Sequence, residues 1–201
     1  NDLVKYEHME RFFDNAMQTG DGIKRVSCDA ALDGGDQCTM WLWTGNHISD
    51  VFFCKVDGKT LVNNISSMLE RWGVREENFT YDLNGVGKYL QGFFPKATPF
   101  NNREAVQPKF KGIFYNLKAQ AFQYLADALI SGEISIEPSI LERRISGKGY
   151  KKATIRDRLM IERKVIAFRE DDPTRLIDKP QMKRRIGGHA SPDLVEGLAM
   201  K

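Results

Sequence analysis

Apolar residues along this 201-residue chain fall into two rhythms, strand-like between residues 24 and 56 and helix-like over much of the rest. Residues 2–18 carry Leu3, Tyr6, Phe12, Phe13 and Ala16 at spacings near three and four, with Asp2 as N-cap and Gly20 past the end, which predicts an amphipathic helix. Three apolar runs follow at about 24–32, 38–44 and 48–56. They are separated by Asp33-Gly34-Gly35-Asp36 and Gly45-Asn46-His47, turns rich in residues that tolerate positive φ, so the three runs predict an antiparallel meander. Leu61, Ile65, Met68, Leu69 and Trp72 then predict a helix over 59–72, ended by Gly73. Phe79–Leu83 reads as a short strand reached by a crossover, hence parallel to its neighbour and central. Asn84-Gly85-Val86-Gly87 opens another helix through Tyr89, Leu90 and Phe93, before a short strand near 96–100.

The second half is more helical. Residues 101–115 read as a polar loop with Lys109 and Lys111 interleaved with Phe110, Phe114 and Tyr115. Asn116 is placed to cap a helix to about 131, with Leu117, Ala121, Tyr124, Leu125, Ala128 and Leu129 on its buried side and Gly132 at its end. Residues 133–136 suit an edge strand, and Pro138 starts a short helix through Leu141 and Ile145. From Arg143 to Lys164 the chain is basic and punctuated by glycine. Leu159-Met160-Ile161 and Val165-Ile166-Ala167-Phe168 predict a projecting hairpin, so a basic insertion is expected over about 143–170. Asp178 precedes a basic helix ended by Gly187-Gly188, and Ser191-Pro192-Asp193 opens the last helix, with Ser191 as cap and Pro192 at its first position.

Length and a 41% hydrophobic content suit one domain with a small appendage. No apolar run reaches the roughly 20 residues needed to span a bilayer, and no signal peptide opens the chain, so a cytoplasmic protein without a membrane partner is expected. Cys28, Cys38 and Cys54 fall in predicted strands without a CxxC pair and read as buried thiols. The start at Asn1 suggests a domain of something longer. Charge is uneven: residues 1–100 carry 10 Lys+Arg against 14 Asp+Glu, a net of −4, whereas 101–201 carry 20 against 13, a net of +7. A basic half beside an acidic cluster suits a polyanion handled by metal-binding carboxylates; a merely solvated surface is the alternative.

The acidic cluster is the chemistry to watch. Asp29 stands inside the first strand, where an unpaired carboxylate is disfavoured, so a cation is expected beside it and a metal ion is the first candidate. Asp82 ends the run Phe79-Thr80-Tyr81, and Asp193 stands at the mouth of the last helix. Alone, Asp82 would merely end a strand and Asp193 complement a helix N-terminus. Together, and with the family pattern of the motifs around them, they suit hydrolysis of a phosphodiester by two Mg2+ or Mn2+ ions about 4 Å apart, with Asp29 bridging and the others flanking. Asp33 and Asp36 read as turn residues, with Asp36 kept as an auxiliary candidate. No GxxxxGK[ST] loop occurs: Gly85-Val86-Gly87-Lys88 has Asp82 where the first glycine belongs and Tyr89 after the lysine.

Three strands, helix, strand with Asp, helix, strand, helix and a closing helix with Asp is the ribonuclease H-like α/β plan: a mixed sheet of meander plus parallel strands, helices on both faces. Asp29-Ala30-Ala31 with Gly34-Gly35-Asp36, Tyr81-Asp82-Leu83-Asn84-Gly85-Val86-Gly87, Asn116-Leu117-Lys118-Ala119-Gln120, and Lys179 through Lys183-Arg184-Arg185-Ile186-Gly187 into Ser191-Pro192-Asp193 resemble the C-terminal nuclease domain of tailed-bacteriophage terminase large subunits. The resemblance spans about 24–200 and implies a metal-dependent endonuclease that cuts concatemeric double-stranded DNA during packaging, with Asp29, Asp82 and Asp193 as catalytic metal ligands. It further implies a nuclease unit over 23–201, residues 1–22 as helix or linker from an N-terminal ATPase domain, portal and small terminase subunit as partners, and the bacterial host cytoplasm as location. His189, four residues ahead of Asp193, is an auxiliary candidate, an exposed loop histidine being the alternative. Lys148, Lys151, Lys152, Lys179, Lys183, Arg184 and Arg185 are candidate DNA-binding residues, though charged faces are often only solvated. A ribonuclease H or Holliday-junction resolvase, and a catalytically inactive DNA or portal docking domain, are the competing functions on the same fold.

Overall fold

The computed structural model describes residues 2–32, 37–145, 153–188 and 191–201. Asp33, Asp36, Lys148, Lys151, Lys152 and His189 lie outside them. Among the described residues, six strands form one sheet in the order β5-β4-β1-β2-β3-β6. β1 (Lys24–Asp29), β2 (Cys38–Thr44) and β3 (His47–Cys54) are the expected meander, with Ser27 opposite Trp41 and Met40 opposite Phe52. β4 (Phe79–Asp82) runs parallel to β1 with Tyr81 beside Cys28, and β5 (Thr98–Phe100) continues outward from it. β6 (Ser135–Ile136) lies parallel to β3 at the opposite edge.

The period of two along a strand sorts β1 between two cores. Val26 and Cys28 join Met40, Leu42, Phe79 and Tyr81 beneath α2 (Gly58–Trp72) and α3 (Gly87–Leu90), which contribute Leu61, Ile65, Leu69 and Leu90. Asp57 caps α2 by accepting from Thr60 N, and Gly73 ends it with φ 63°. Ser27 and Asp29 face the other way. There Trp41 and Trp43 of β2 meet α1 (Tyr6–Asp14), α4 (Leu117–Ser131), α5 (Pro138–Leu141), α6 (Ile155–Glu162) and α8 (Asp193–Ala199). Burying one such aromatic or leucine side chain contributes about 1.5–3 kcal/mol. α7 (Lys179–Arg185) borders this second layer through Met182. No helix among the described residues is long and apolar enough to cross a membrane.

Several local expectations are corrected. Lys5, not Asp2, occupies the N-cap of α1; Asp2 instead accepts from Arg163 Nη1 at 2.7 Å. Tyr124 is exposed, because the buried row of α4 is Ala119, Phe122, Leu125, Ala126 and Leu129, and Gly132 ends the helix as expected. The hairpin expected around 159–168 does not form. Thr154 and Asp157 build a capping box that starts α6, whose Ile155 and Leu159 are fully buried, so core packing on a helical repeat outweighs the β-branched residues nearby. The described part of the basic stretch 143–170 is therefore woven into the domain and does not project. Three of its arginines are ion-paired within the domain: Arg143 Nη1 to Asp50 Oδ1 at 2.6 Å, Arg163 to Asp2, and Arg158 to Glu162.

Candidate metal centre

Asp29 is the last residue of β1, on the face opposite Cys28 and directed at α8. Asp193 opens α8, and Glu196, three residues on, shares its helix face. One carboxylate oxygen from each of Asp29, Asp193 and Glu196 lies within 4.8 Å of the other two. Oxygens on one six-coordinate divalent ion lie about 3–4 Å apart, so rotamer adjustment suffices to gather these three around one. One position past the Cys28–Tyr81 pair, the parallel strands β1 and β4 end side by side on Asp29 and Asp82. Asp82 lines the same narrow cleft as Asp29, Lys118 and Glu196, with its Oδ1 accepting from Asn84 N and Nδ2 at 2.9 Å.

α8 can lie this close to the sheet because of Gly197. A Cβ at that position would stand 2.9 Å from Trp41 Cδ1 and 3.9 Å from Asp29 Cβ. The Trp41 indole N–H donates to Leu194 O at 3.0 Å, so the same tryptophan that the glycine accommodates also fastens the helix. The helix start has an unusual cap. Pro192 holds the N-cap position without a side-chain bond, and Ser191, expected as the cap, has a buried hydroxyl with no hydrogen-bond partner among the described residues. The orphan N–H groups of Leu194 and Val195 donate instead to Glu162 Oε2, both at 3.0 Å. Glu162 Oε1 accepts from Arg158 Nε at 3.0 Å, and Arg158 Nη2 reaches Ser191 O at 3.3 Å. Both side chains are buried, so α6 carries an internal ion pair that fixes where α8, and with it Asp193, begins.

Electrostatics at the centre favour a cation. The Asp29 carboxyl is held well above the usual carboxylate range, first by burial and then by repulsion from Glu196, Asp193 and Asp82, with Lys118 opposing. Glu162 is pushed up to about 7, again by burial foremost, against the opposing pull of Arg158 and the Val195 N–H. Lys118 Nζ lies 2.6 Å from Glu196 Oε1. Among the described residues, Lys118 is the ammonium paired within this group of carboxylates, and an all-oxygen donor set is the kind that hard divalent cations take. These residues fit Mg2+ or Mn2+.

Of the three aspartates expected to converge, Asp29 and Asp193 bring carboxylate oxygens within 4.8 Å of each other, and Asp29 and Asp82 line one cleft. Glu196 was not anticipated; its signal was the i, i+3 spacing from Asp193. Lys118 stood in a motif without a role. Of the expected DNA-binding residues, Lys179 lines a cleft that also includes Lys118. Arg184 and Arg185 border a different cleft with Arg169, and Arg185 is drawn inward onto Asp2 Oδ1 and Lys164 O at 3.4 and 3.1 Å, which counts against a DNA contact by that residue. Lys183 is half-buried on α7.

Family models and curated proteins return no match to the sequence. Solved structures do. The nuclease domain of the large terminase subunit gp2 of bacterial virus Sf6 aligns over 100% of this chain and 97% of its own length, at TM-score 0.74 and 19% identity. A mutant of that domain with manganese and beta-thujaplicinol aligns at TM-score 0.74 and 17% identity over 100% of this chain and 97% of its own. A mutant with calcium aligns at 0.73 and 18% over 100% and 98%. The chain therefore has the ribonuclease H-like fold of a terminase nuclease domain.

Proposed function

We propose that this protein is a metal-dependent DNA endonuclease, the nuclease part of a viral DNA-packaging terminase, cutting concatemeric double-stranded DNA by two-metal phosphodiester hydrolysis. The observation that carries this is the meeting of Asp29, Asp193 and Glu196 carboxylate oxygens within 4.8 Å at the ends of β1 and α8, on a fold whose relatives were solved with manganese and calcium. Asp29, Asp193 and Glu196 would hold one divalent ion, with Asp29 shared towards a second beside Asp82. Ions there supply an activated water and a positive charge opposite the leaving oxygen.

The chain's own residues do the rest. Asp29 sits on the central, rigid strand and sets the centre's position. The backbone of Asp193 and Glu196 is placed by α8, and Glu162 and Trp41 pin that helix, with Arg158 holding Glu162. Asn84 orients Asp82 through its side-chain amide. Asp29, Asp82 and Asp193 are assigned as catalytic residues, with Glu196 added. In the full-length protein, residues 1–22 would lead from an ATPase domain, and portal and small terminase subunit would be partners in the host cytoplasm. Three carboxylates gathered within 4.8 Å of one another favour an active nuclease over a docking domain.

Supercoiled plasmid incubated with the protein in Mn2+, Mg2+ or EDTA tests the assignment. Nicking and linearisation that need the metal are expected. Plasmid left intact in both metals by a folded protein would remove the nuclease assignment.

A further inference from the structure

Lys118 stands at a junction. It projects from the first turn of α4 and lines both the narrow carboxylate cleft with Asp29, Asp82 and Glu196 and a second, open cleft of about 380 Å³. The second cleft is lined by Arg103, Arg169, Arg175 and Lys179 together with Lys118, against Asp178, and stays basic although Arg169 and Arg175 are ion-paired with Asp171 and Asp172. Its two walls are tied by Tyr115 N donating to Thr174 O at 2.9 Å, and the Arg175 guanidinium lies 3.4 Å from the Tyr115 ring centroid. In the structure, the lysine's ammonium is spent on Glu196 at 2.6 Å, the carboxylate that the metal centre also needs. One side chain therefore answers to two anions, a carboxylate on one side and whatever enters the basic cleft on the other.

We propose, on the basis of the nuclease assignment above, that Lys118 is a two-position residue: counter-ion to Glu196 in the metal-free centre, and a ligand for a DNA backbone phosphate in the basic cleft once a divalent ion has taken Glu196. Lys118 already lines both clefts, so a turn about its flexible stem takes the ammonium from one to the other. A divalent ion arriving at Glu196 competes with a built-in monovalent cation, so the lysine lowers metal affinity in the resting protein. The displaced ammonium then adds positive charge to the cleft beside the cut. The basic cleft between the 101–116 loop and the 169–179 segment, rather than Lys148 to Lys152 alone, becomes the path of the strand next to the centre.

Calcium binding followed by calorimetry, and duplex binding followed by fluorescence anisotropy, test this without relying on cleavage. Lys118→Gln should bind Ca2+ about threefold to tenfold more tightly than the parent, because a competing charge a few ångströms away is gone. With Ca2+ present, its DNA affinity should fall and its log-log salt slope shrink by about 0.9, one phosphate contact. Glu196→Gln should release the lysine and raise DNA affinity in EDTA by about twofold to fivefold. Loss of a negative charge alone would also help DNA binding, so Lys118→Gln/Glu196→Gln is the deciding variant: the gain should vanish in it. A gain that persists in the double variant, or Ca2+ affinity in folded Lys118→Gln equal to or weaker than the parent's, overturns the two-position role. A parent that takes up neither Ca2+ nor Mn2+ overturns the nuclease assignment itself, and this role with it.

Discussion

Glu162 accepts the backbone N–H of Leu194 at 3.0 Å, so the residue that starts the helix of Asp193 lies 32 positions upstream of the first N–H it caps. Its second oxygen is taken by Arg158, which is almost fully buried. Glu162→Ala would leave a buried guanidinium and two helix N–H groups without their acceptor. A loss of about 3–5 kcal/mol in urea unfolding is expected. Glu162→Gln retains one acceptor and should lose less, about 1–3 kcal/mol. In either variant that folds, Ca2+ should bind more weakly, because Asp193 is no longer held at its start. A Glu162→Ala protein as stable as the parent would show that the cap is not structural.

The same burial gives a pH signature. Asp29 is held above the ordinary carboxylate range, and Glu162 is pushed from 4.5 up to about 7, so the folded protein keeps protons that the unfolded chain has released. A raised folded pKa contributes stability that is present below the unfolded value and is lost as pH rises through the folded value. Metal-free protein should therefore be more stable near pH 5 than near pH 8. Carboxyls with lowered values, such as Asp21 at about 2, titrate well below that window and do not offset it. Urea midpoints in EDTA at the two pH values check the sign. Adding Ca2+ should shrink the difference, since a divalent ion favours the ionised Asp29.

Much of this was legible beforehand where the local code is strong. Turn glycines and strand alternation place β1 to β3, and Asp57, Gly73, Asn116 and Gly132 mark two helices by their capping chemistry. Asp29 was identifiable as a carboxylate inside a predicted strand, Asp82 as a strand end and Asp193 by its helix mouth, although β1 in fact ends at Asp29. What escaped depends on tertiary contact. Arg158 and Glu162 sit four apart behind a Thr-x-x-Asp start, a helix signal that the apolar run 159–161 obscured. That a buried glutamate from α6 would displace Ser191 as the cap of α8 is written in no window of sequence. Glu196 was readable from its spacing to Asp193, but its approach to Asp29 needs Gly197 against Trp41.

That glycine carries the next prediction. Gly197→Ala would place a methyl 2.9 Å from Trp41 Cδ1, tighter than side chains tolerate, and Trp41 is wholly buried and cannot yield. α8 must then lift from β2. Overpacking of this kind costs about 1–3 kcal/mol. Lifting the helix also parts Asp193 and Glu196 from Asp29, so Ca2+ affinity should fall by a larger factor than in an Ala substitution at Gly92, where a Cβ would meet only Tyr89 O at 3.9 Å. Equal calcium isotherms for parent and Gly197→Ala would show that the close approach of α8 is not what gathers the carboxylates.

The centre itself gives the sharpest test. Without metal, Asp29 is repelled by Glu196, Asp193 and Asp82 and is half-buried, so its charge opposes folding. Asp29→Asn keeps the shape and removes the charge. The metal-free variant should melt at the parent's temperature or above it. Divalent ions raise the parent's melting temperature in proportion to RT ln(1 + [L]/Kd), and that rise should largely disappear in Asp29→Asn because the shared ligand is gone. Plasmid cleavage should drop by at least about 100-fold, as for loss of a group that stabilises transition-state charge. Asp193→Asn should also stop cleavage while leaving part of the metal-induced rise, since Asp29 and Asp82 still line the cleft. Parental-rate nicking by a folded Asp29→Asn protein in Mn2+ is the result that would sink the assignment of this cluster as the catalytic centre, because no other group of three described acidic, histidine or cysteine side chains is close enough to hold an ion.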